Sequence, residues 1–223
     1  MSKAVVIISG GMDSTTLLYE VKDKYDEVYG LSFNYNQKHK KELECAMRTC
    51  ACLNIKHKTM DLSILNELAP SSLTRDNWDV PEGHYADENM KETVVPNRNM
   101  VMLSLATSYA VSLKADSLYY GAHAGDHDIY PDCRNDFVKA MQKSIELCDW
   151  HILQLKAPYL EIDKGDIAIK GKKLGVDYSL TWTCYKGKEK ACGKCGSCTE
   201  RLEAFEKAGI DDPLDYEKDS ISA

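Results

Sequence analysis

The segment 4–19, AVVIISGGMDSTTLLY, constrains this chain more than any other stretch. Val5, Val6, Ile7 and Ile8 form a short apolar run that a glycine turn ends at once, the pattern of a strand buried on both faces. Gly10 and Gly11 permit a sharp turn and present no Cβ to a ligand. Asp13 and Ser14 are good helix caps, and Leu17, Leu18, Val21 and Tyr25 recur at helical spacing, so a helix is predicted over 15–25. Strand, glycine turn and helix aim free N–H groups and the positive end of a helix dipole at one point, which makes an anion site. A plain tight turn would share this outline. The Walker pattern is excluded, because no Lys stands before Ser or Thr after the second glycine.

SGGMDS resembles the SGGxDS loop of the PP-loop ATP pyrophosphatases. That resemblance implies ATP cleaved between its α and β phosphates, with AMP passed to an oxygen of the substrate. It places the nucleotide contacts on Ile8, Ser9, Gly10, Gly11, Met12, Asp13, Ser14, Thr15, Thr16, Leu17 and Leu18. The N–H groups of Gly10 and Gly11 and the hydroxyls of Ser9 and Ser14 would cradle pyrophosphate, and Asp13 would help hold Mg²⁺.

Strand and helix patterns then alternate. A strand is expected over 27–33, a helix over 39–54 with Leu43, Ala46, Met47, Cys50 and Leu53 on one face, and a weaker strand over 55–60. Alternation of this kind argues for a parallel sheet with crossover helices. Residues 68–95, with Asp76 and His84 among them, lack apolar periodicity. They read either as a lid or as a solvated insertion. Residues 100–113 are apolar nearly all round and predict a helix buried in the middle of the fold. Arg98 at its start opposes the helix dipole and calls for an anionic partner. A structural carboxylate, an ATP phosphate and a substrate carboxylate all meet that need.

A fourth strand over 117–120 ends in small and polar residues, Gly121 to Asp128, followed by Tyr130-Pro131-Asp132-Cys133-Arg134. Small residues at the end of a parallel strand leave room for a ligand crevice. The acidic and imidazole groups there suit a metal or a substrate's polar edge, or else a solvated loop. A helix over 135–149, a strand over 152–155 and a helix capped by Asp163 and stopped by Gly175 follow.

Nine cysteines occur in the chain, and four of them form C-x7-C-x2-C-x2-C: Cys184, Cys192, Cys195 and Cys198. Four thiolates at this spacing fit tetrahedral Zn²⁺ in a closed structural site, with Gly193 and Gly196 permitting the turns. Ferredoxins also space cysteines by three, but their fourth follows rather than precedes the run, so zinc is preferred to iron–sulfur. Lys186, Lys188, Lys190 and Lys194 would offset the negative charge of the site. The zinc should pin a helix over 197–207, and the acidic tail 211–220 is expected to be mobile. Most of the scattered cysteines (Cys45, Cys50, Cys52, Cys133, Cys148) are read as small buried groups. MSKAVVII does not read as a signal peptide, and no apolar run reaches the roughly 18 residues of a membrane span, so the expected location is the cytoplasm. A net charge of −7 counts against a broad nucleic-acid surface.

Taken together, SGGMDSTT, VPNRNMVMLSLATSYA, YPDCRNDF and TWTCYKGKEKACGKCGSCTERLEAF resemble one family, the 7-cyano-7-deazaguanine synthases. The likeness spans nearly the whole chain. It implies an α/β fold: a parallel doubly wound, Rossmann-like sheet of the adenine nucleotide alpha hydrolase type over 1–180, with a small zinc-binding helical appendage over 181–223. It implies a ligase that forms C–N bonds, turning 7-carboxy-7-deazaguanine and ammonia into the nitrile through an acyl adenylate and an amide, with ATP, Mg²⁺ and Zn²⁺ as its requirements. It also implies a homodimer, and no nucleic acid or membrane as partner. The start Met1-Ser2 lacks a glutaminase cysteine, so free ammonia is the expected nitrogen source. The candidate reacting residues are Asp13, Arg98, Asp132 and Arg134. Asp132 or Asp126 would accept from the N–H edge of the base, Arg134 would meet developing phosphate charge, and Lys164 is a further candidate of that kind. The alternative is a PP-loop tRNA thiolase, which would need a basic surface and redox-active cysteines.

Overall fold

A computed structural model describes residues 1–75, 77–85, 87–127, 129–186 and 188–217. Asp76, Asp128 and the last residues of the tail, 218–220, on which sequence expectations fell, lie outside the described residues.

Five parallel strands form one sheet in the order β3-β2-β1-β4-β5, with β1 Lys3–Ile7, β2 Glu27–Asn34, β3 Lys56–Asp61, β4 Ser117–Tyr119 and β5 Gln154–Lys156. β1 is central because it can be buried on both faces. It pairs with β2 in the register Val5↔Tyr29 and with β4 in the register Val5↔Leu118. From β1 the chain first builds outward through β2 and β3, then returns to the other side for β4 and β5. The order therefore reverses between β1 and β4, and a crevice opens beyond their carboxyl ends.

Side-chain alternation along β1 sorts the layers. Ala4, Val6 and Ile8 pack with Leu17, Leu18 and Val21 of α1 (Met12–Val21), Ala46 and Cys50 of α2 (Lys41–Cys52), and Ile167 of α6 (Lys164–Leu174). Val5 faces the opposite layer, with Leu103, Ala106 and Ala110 of α4 (Arg98–Ser112) and Met141 and Ile145 of α5 (Asn135–Cys148). The short helix α3 is Ile64–Leu68, and α7 (Gly196–Ala208) lays Ala204, Phe205 and Ala208 against Met12, Ala168 and Tyr178. Asp163 caps α6 by accepting from Asp166 N–H at 2.9 Å, and Gly175 ends it at φ 69°.

Several expectations need correction. α1 starts at Met12 with Gly11 as its cap residue, not at Asp13 or Ser14. The Ser14 hydroxyl instead turns back to Ser9, 3.1 Å from its N–H. α1 also stops at Val21, and Tyr25 hydrogen-bonds Ser117 and Tyr119. The stretch 68–95 is exposed over about half of its described residues but is anchored at several points. Leu73, Tyr85, Met90 and Val95 are buried, and Glu88–Thr93 forms a 3₁₀ turn. Its buried residues follow no period, so no pattern betrayed them. α4 is buried on one face only, since Met100 remains 48% exposed. The strand expected over 152–155 begins later, and Ile152 is exposed. The tail is tied down through Glu217: Ala191 bridges Tyr216, and Asp212 grips Arg201 at 2.8 and 2.9 Å.

Gly10 carries the tightest constraint. It sits at φ +96°, and a Cβ there would lie 1.8 Å from the Glu42 carbonyl oxygen and 2.8 Å from Ala46 N. Both obstacles are backbone, so neither can swing away. Gly10→Ala is expected to cost about 2–4 kcal/mol of stability, measured as a lowered urea midpoint with an unchanged slope.

Candidate active site and cysteine cluster

The crevice at the β1/β4 reversal is a cavity of about 230 Å³. Its floor is the turn after β1. Ser9 Oγ lies 3.0 Å from Ser14 Oγ and accepts from Gly11 N–H at 3.1 Å. The first intrahelical bond of α1 is Thr15 N–H to Gly11 C=O at 3.1 Å. The N–H groups of Met12, Asp13 and Ser14 stand ahead of it without helical partners. Ile8, Ser9, Gly11, Met12, Asp13 and Ser14 line the cavity. Gly10 shapes the turn from behind, and its carbonyl accepts from Trp182 N–H at 2.9 Å. Thr15, Thr16, Leu17 and Leu18 are buried in the layer beneath and support the turn rather than face the cavity.

One side of the cavity holds a cluster of buried charge. Lys164 Nζ is 2.5 Å from Glu200 Oε2 and 3.6 Å from Asp13 Oδ2. His123 Nε2 lies 4.0 Å from Asp13 and 3.7 Å from Asp126, and Asp126 also accepts from Tyr85 OH at 2.8 Å. Burial opposes the charge of Lys164, but Asp13, Glu200 and Asp126 outweigh it and raise the ammonium's pKa. Burial pushes the Glu200 carboxyl up, against the pull of Lys164 and His123. Burial also acts to raise Asp126, yet His123 and Lys164 leave it lowered. Three carboxylates thus surround one lysine, and Asp13 Oδ1 is buried without a hydrogen-bond partner among the described residues. An excess of buried negative charge with an orphaned carboxylate oxygen suits a hard cation.

The other side is aromatic and carries Arg98. Its guanidinium reaches Tyr35 OH at 3.4 Å and lies 5.8 Å from the ring centres of Tyr35 and Tyr130. Arg98 lines the cavity, and no salt bridge to it is made among the described residues, although the Asp132 carboxylate favours its charge from a distance. Burial raises the Tyr35 phenol to about 12, so it stays a neutral hydroxyl that accepts from Arg98. Asp132 accepts from Asn99 N–H at 3.2 Å, and Arg134 Nε donates to the His127 carbonyl at 2.8 Å. Neither Asp132 nor Arg134 lines the cavity, whereas Asp126 and Lys164 do.

Cys184, Cys192, Cys195 and Cys198 are all buried, with their sulfurs within 4.8 Å of one another. Backbone N–H groups point at those sulfurs: Cys192 N to Cys184 at 3.3 Å, and Lys194 N and Cys195 N to Cys192 at 3.4 and 3.3 Å. Such bonds favour thiolates, and Gly193 at φ 69° makes the knuckle. The group therefore fits a four-coordinate metal. The nearby lysines act less directly than expected: Lys186 pairs with Glu82, and Lys188 lies 3.2 Å from Glu217.

Residues 3–209 match the family model described as queuosine biosynthesis protein QueC. The chain belongs to that family. Among curated relatives, the 7-cyano-7-deazaguanine synthase of Caldicellulosiruptor saccharolyticus is 65% identical over 96% of both chains. That of Methanoregula boonei is 66% identical over 96% of this chain and 99% of its own. Solved structures that resemble the fold include the U34-tRNA thiolase NcsA of Methanococcus maripaludis, at 15% identity and TM-score 0.52 over 92% of this chain and 63% of that one. NMN synthetase of Francisella tularensis gives 13% and 0.52 over 94% and 78%. These likenesses show a shared α/β fold, and the thiolase alternative rests on that fold alone. The QueC-family match covers the turn, Arg98 and all four clustered cysteines.

Sequence reasoning missed Glu200 and Tyr85 and gave His39 and Glu42 no chemical part. Glu200 sits within a charged helical stretch that reads as solvated surface, and only the packing of α7 against α6 turns it inward. The balance of this cluster is testable. Lys164→Met leaves Asp13, Asp126 and Glu200 uncompensated, which should cost about 3–5 kcal/mol at pH 8. A carboxyl whose folded pKa lies above its unfolded one gains a proton on folding, so stability is present at low pH and lost as pH rises through the folded pKa. Removing Lys164 raises Glu200 further and takes away one cause that keeps Asp126 lowered, so the deficit should shrink at pH 5, read from urea unfolding at both values.

Proposed function

We propose that the enzyme converts 7-carboxy-7-deazaguanine and ammonia to 7-cyano-7-deazaguanine, consuming two ATP per turnover. The observation that carries this reading is that the Ser9–Ser14 turn and Arg98, which has no ion pair among the described residues, open onto one cavity, beside a family match over almost the whole chain. One end suits a phosphate and the other a carboxylate.

A carboxylate resists ammonia because it is anionic and resonance-stabilised. Arg98 holds the substrate's carboxylate, and the surrounding tyrosines flank the planar base. The first-turn N–H groups of α1, with Ser9 and Ser14, hold the phosphates of ATP. A carboxylate oxygen attacks the α-phosphorus, and pyrophosphate leaves toward Lys164. Ammonia then attacks the acyl carbon and AMP departs. In a second round the amide oxygen attacks the α-phosphorus of another ATP, and departure of AMP leaves the nitrile. No protein nucleophile takes part, so positioning and charge stabilisation supply the rate. Mg²⁺, when bound at Asp13, would neutralise phosphate oxygens. Zn²⁺ at the four cysteines would be structural, since all four positions are filled by sulfur.

Asp126 stands where Asp132 does not, facing the cavity, and is the better placed of the two to accept from the base. Arg134 is assigned no part at the reacting atoms. We further propose that 1–180 forms the ATP-binding domain and 181–223 the zinc-binding segment. The working form is a homodimer in the cytoplasm; the exposed apolar residues Met100, Leu147, Trp150 and Ile152 support the pairing.

The test is purified protein with Mg-ATP, ammonium and 7-carboxy-7-deazaguanine, followed by mass spectrometry. Two AMP per nitrile are expected, with one zinc per chain by elemental analysis. ADP as product, or AMP release that depends on tRNA, would contradict the reading. Arg98→Ala should lower kcat/KM for the acid about 100-fold, in keeping with loss of a charge-assisted contact.

A further inference from the structure

The nitrogen enters the reaction proposed above as ammonia, with three hydrogens, and ends in a nitrile with none. Each of those protons needs an acceptor while the nitrogen sits in the cavity. Among the described residues, His39 and His123 line that cavity. His123 is committed at both nitrogens: Nδ1 accepts from Gly125 N–H at 3.1 Å, and Nε2 faces Asp126 and Asp13. His39 is not. Its Nε2 lies 3.1 Å from Glu42 Oε1, and its ring packs on Tyr185 with centroids 5.4 Å apart. Its Nδ1 is buried and has no hydrogen-bond partner among the described residues. A carboxylate at Nε2 keeps the proton there and leaves the lone pair on Nδ1, the arrangement of a carboxylate-oriented imidazole base. Glu42 alone would be unremarkable, because a carboxylate in the first turn of α2 suits the helix dipole. The buried, partnerless Nδ1 of a residue that lines the cavity has no such explanation among the described residues.

We propose that His39, oriented by Glu42, accepts the protons that the nitrogen sheds. This rests on the reaction proposed above. In the first stage the ammonia lone pair forms the C–N bond, and the C–O bond to AMP breaks with its electron pair leaving on AMP. One N–H bond breaks, its electrons stay on nitrogen, and the proton goes to His39 Nδ1. Glu42 offsets the imidazolium charge, and water carries the proton away. In the second stage the amide oxygen bonds the α-phosphorus of the second ATP, pyrophosphate leaves, and a second N–H proton passes to the same nitrogen. When the C–O bond to AMP breaks, the last N–H pair becomes the third C–N bond and its proton follows. The backbone contact between Glu42 and Gly10 keeps the base in register with the phosphate turn.

The experiment compares wild type with His39→Asn and Glu42→Gln in three measurements. The first is exchange of labelled pyrophosphate into ATP driven by the acid substrate, which needs no nitrogen nucleophile. The second is amide formation from acid and ammonium. The third is nitrile formation from the amide supplied directly. In His39→Asn, exchange should stay within about threefold of wild type, while both nitrogen steps fall about 10²–10⁴-fold and partly recover with added imidazole. Glu42→Gln should show the same split with a smaller loss. Equal loss in all three measurements, or full nitrogen chemistry in His39→Asn, would overturn the assignment. A wild type without acid-dependent exchange would overturn the reaction itself, and the assignment with it.

Discussion

The missing Cβ of Gly10 is the constraint on which the rest depends. Without it the first turn of α2 can rest its Glu42 carbonyl directly on the phosphate turn, at a position where any side chain would collide with backbone. The carbonyl of the same glycine receives Trp182 N–H, so the segment that leads into the cysteine cluster is anchored there as well. One small residue therefore fixes three things against each other: the helix bearing Glu42, the start of α1, and the C-terminal segment. The strand reversal between β1 and β4 then supplies an open crevice in front of them.

The cavity keeps its charges apart. Asp13, Asp126 and Glu200 gather around Lys164 on one wall, while Arg98 stands among tyrosines on another. A phosphate–metal pair and an organic acid can thus occupy one space without competing for the same residues. The cysteine cluster bears on this arrangement through α7, which carries both Cys198 and Glu200. Arg201 on the same helix is fully buried. It bonds Asp212 at 2.8 and 2.9 Å and Thr181 and Thr183 at 2.9 and 3.0 Å, so α7, the tail and the cavity segment form one unit. A metal held by the four sulfurs would set the position of a carboxylate in the cavity without touching substrate.

The parts legible in the sequence share a local cause. The buried run Val5–Ile8, the paired glycines, the Asp163 cap and the cysteine spacing are each determined by residues close together in the chain. The parallel sheet followed from alternation, and the crevice from the small residues after β4. What stayed hidden depends on how the chain turns back on itself, near or far. Ser14 looked like a cap, yet its hydroxyl is used by Ser9. Tyr85 belonged to an aperiodic stretch, yet packing against Tyr130 and Asp126 draws it into the site. Asp132 and Asp126 looked interchangeable by motif, and Arg134 looked placed to meet phosphate charge. Whether each faced inward depended on how the turn before α5 folds, and Asp132 went to the N–H of Asn99 instead.

The central claim is that the turn after β1 grips ATP so that its α-phosphorus faces an acyl oxygen held near Arg98. A crystal structure with the α,β-methylene analogue of ATP and the acid substrate tests it most directly. The account predicts the β and γ phosphates against the N–H groups of Met12 to Ser14, with the substrate carboxylate between the α-phosphorus and Arg98. A nucleotide bound elsewhere, or one whose γ-phosphate rather than α-phosphate faces the substrate, would contradict it.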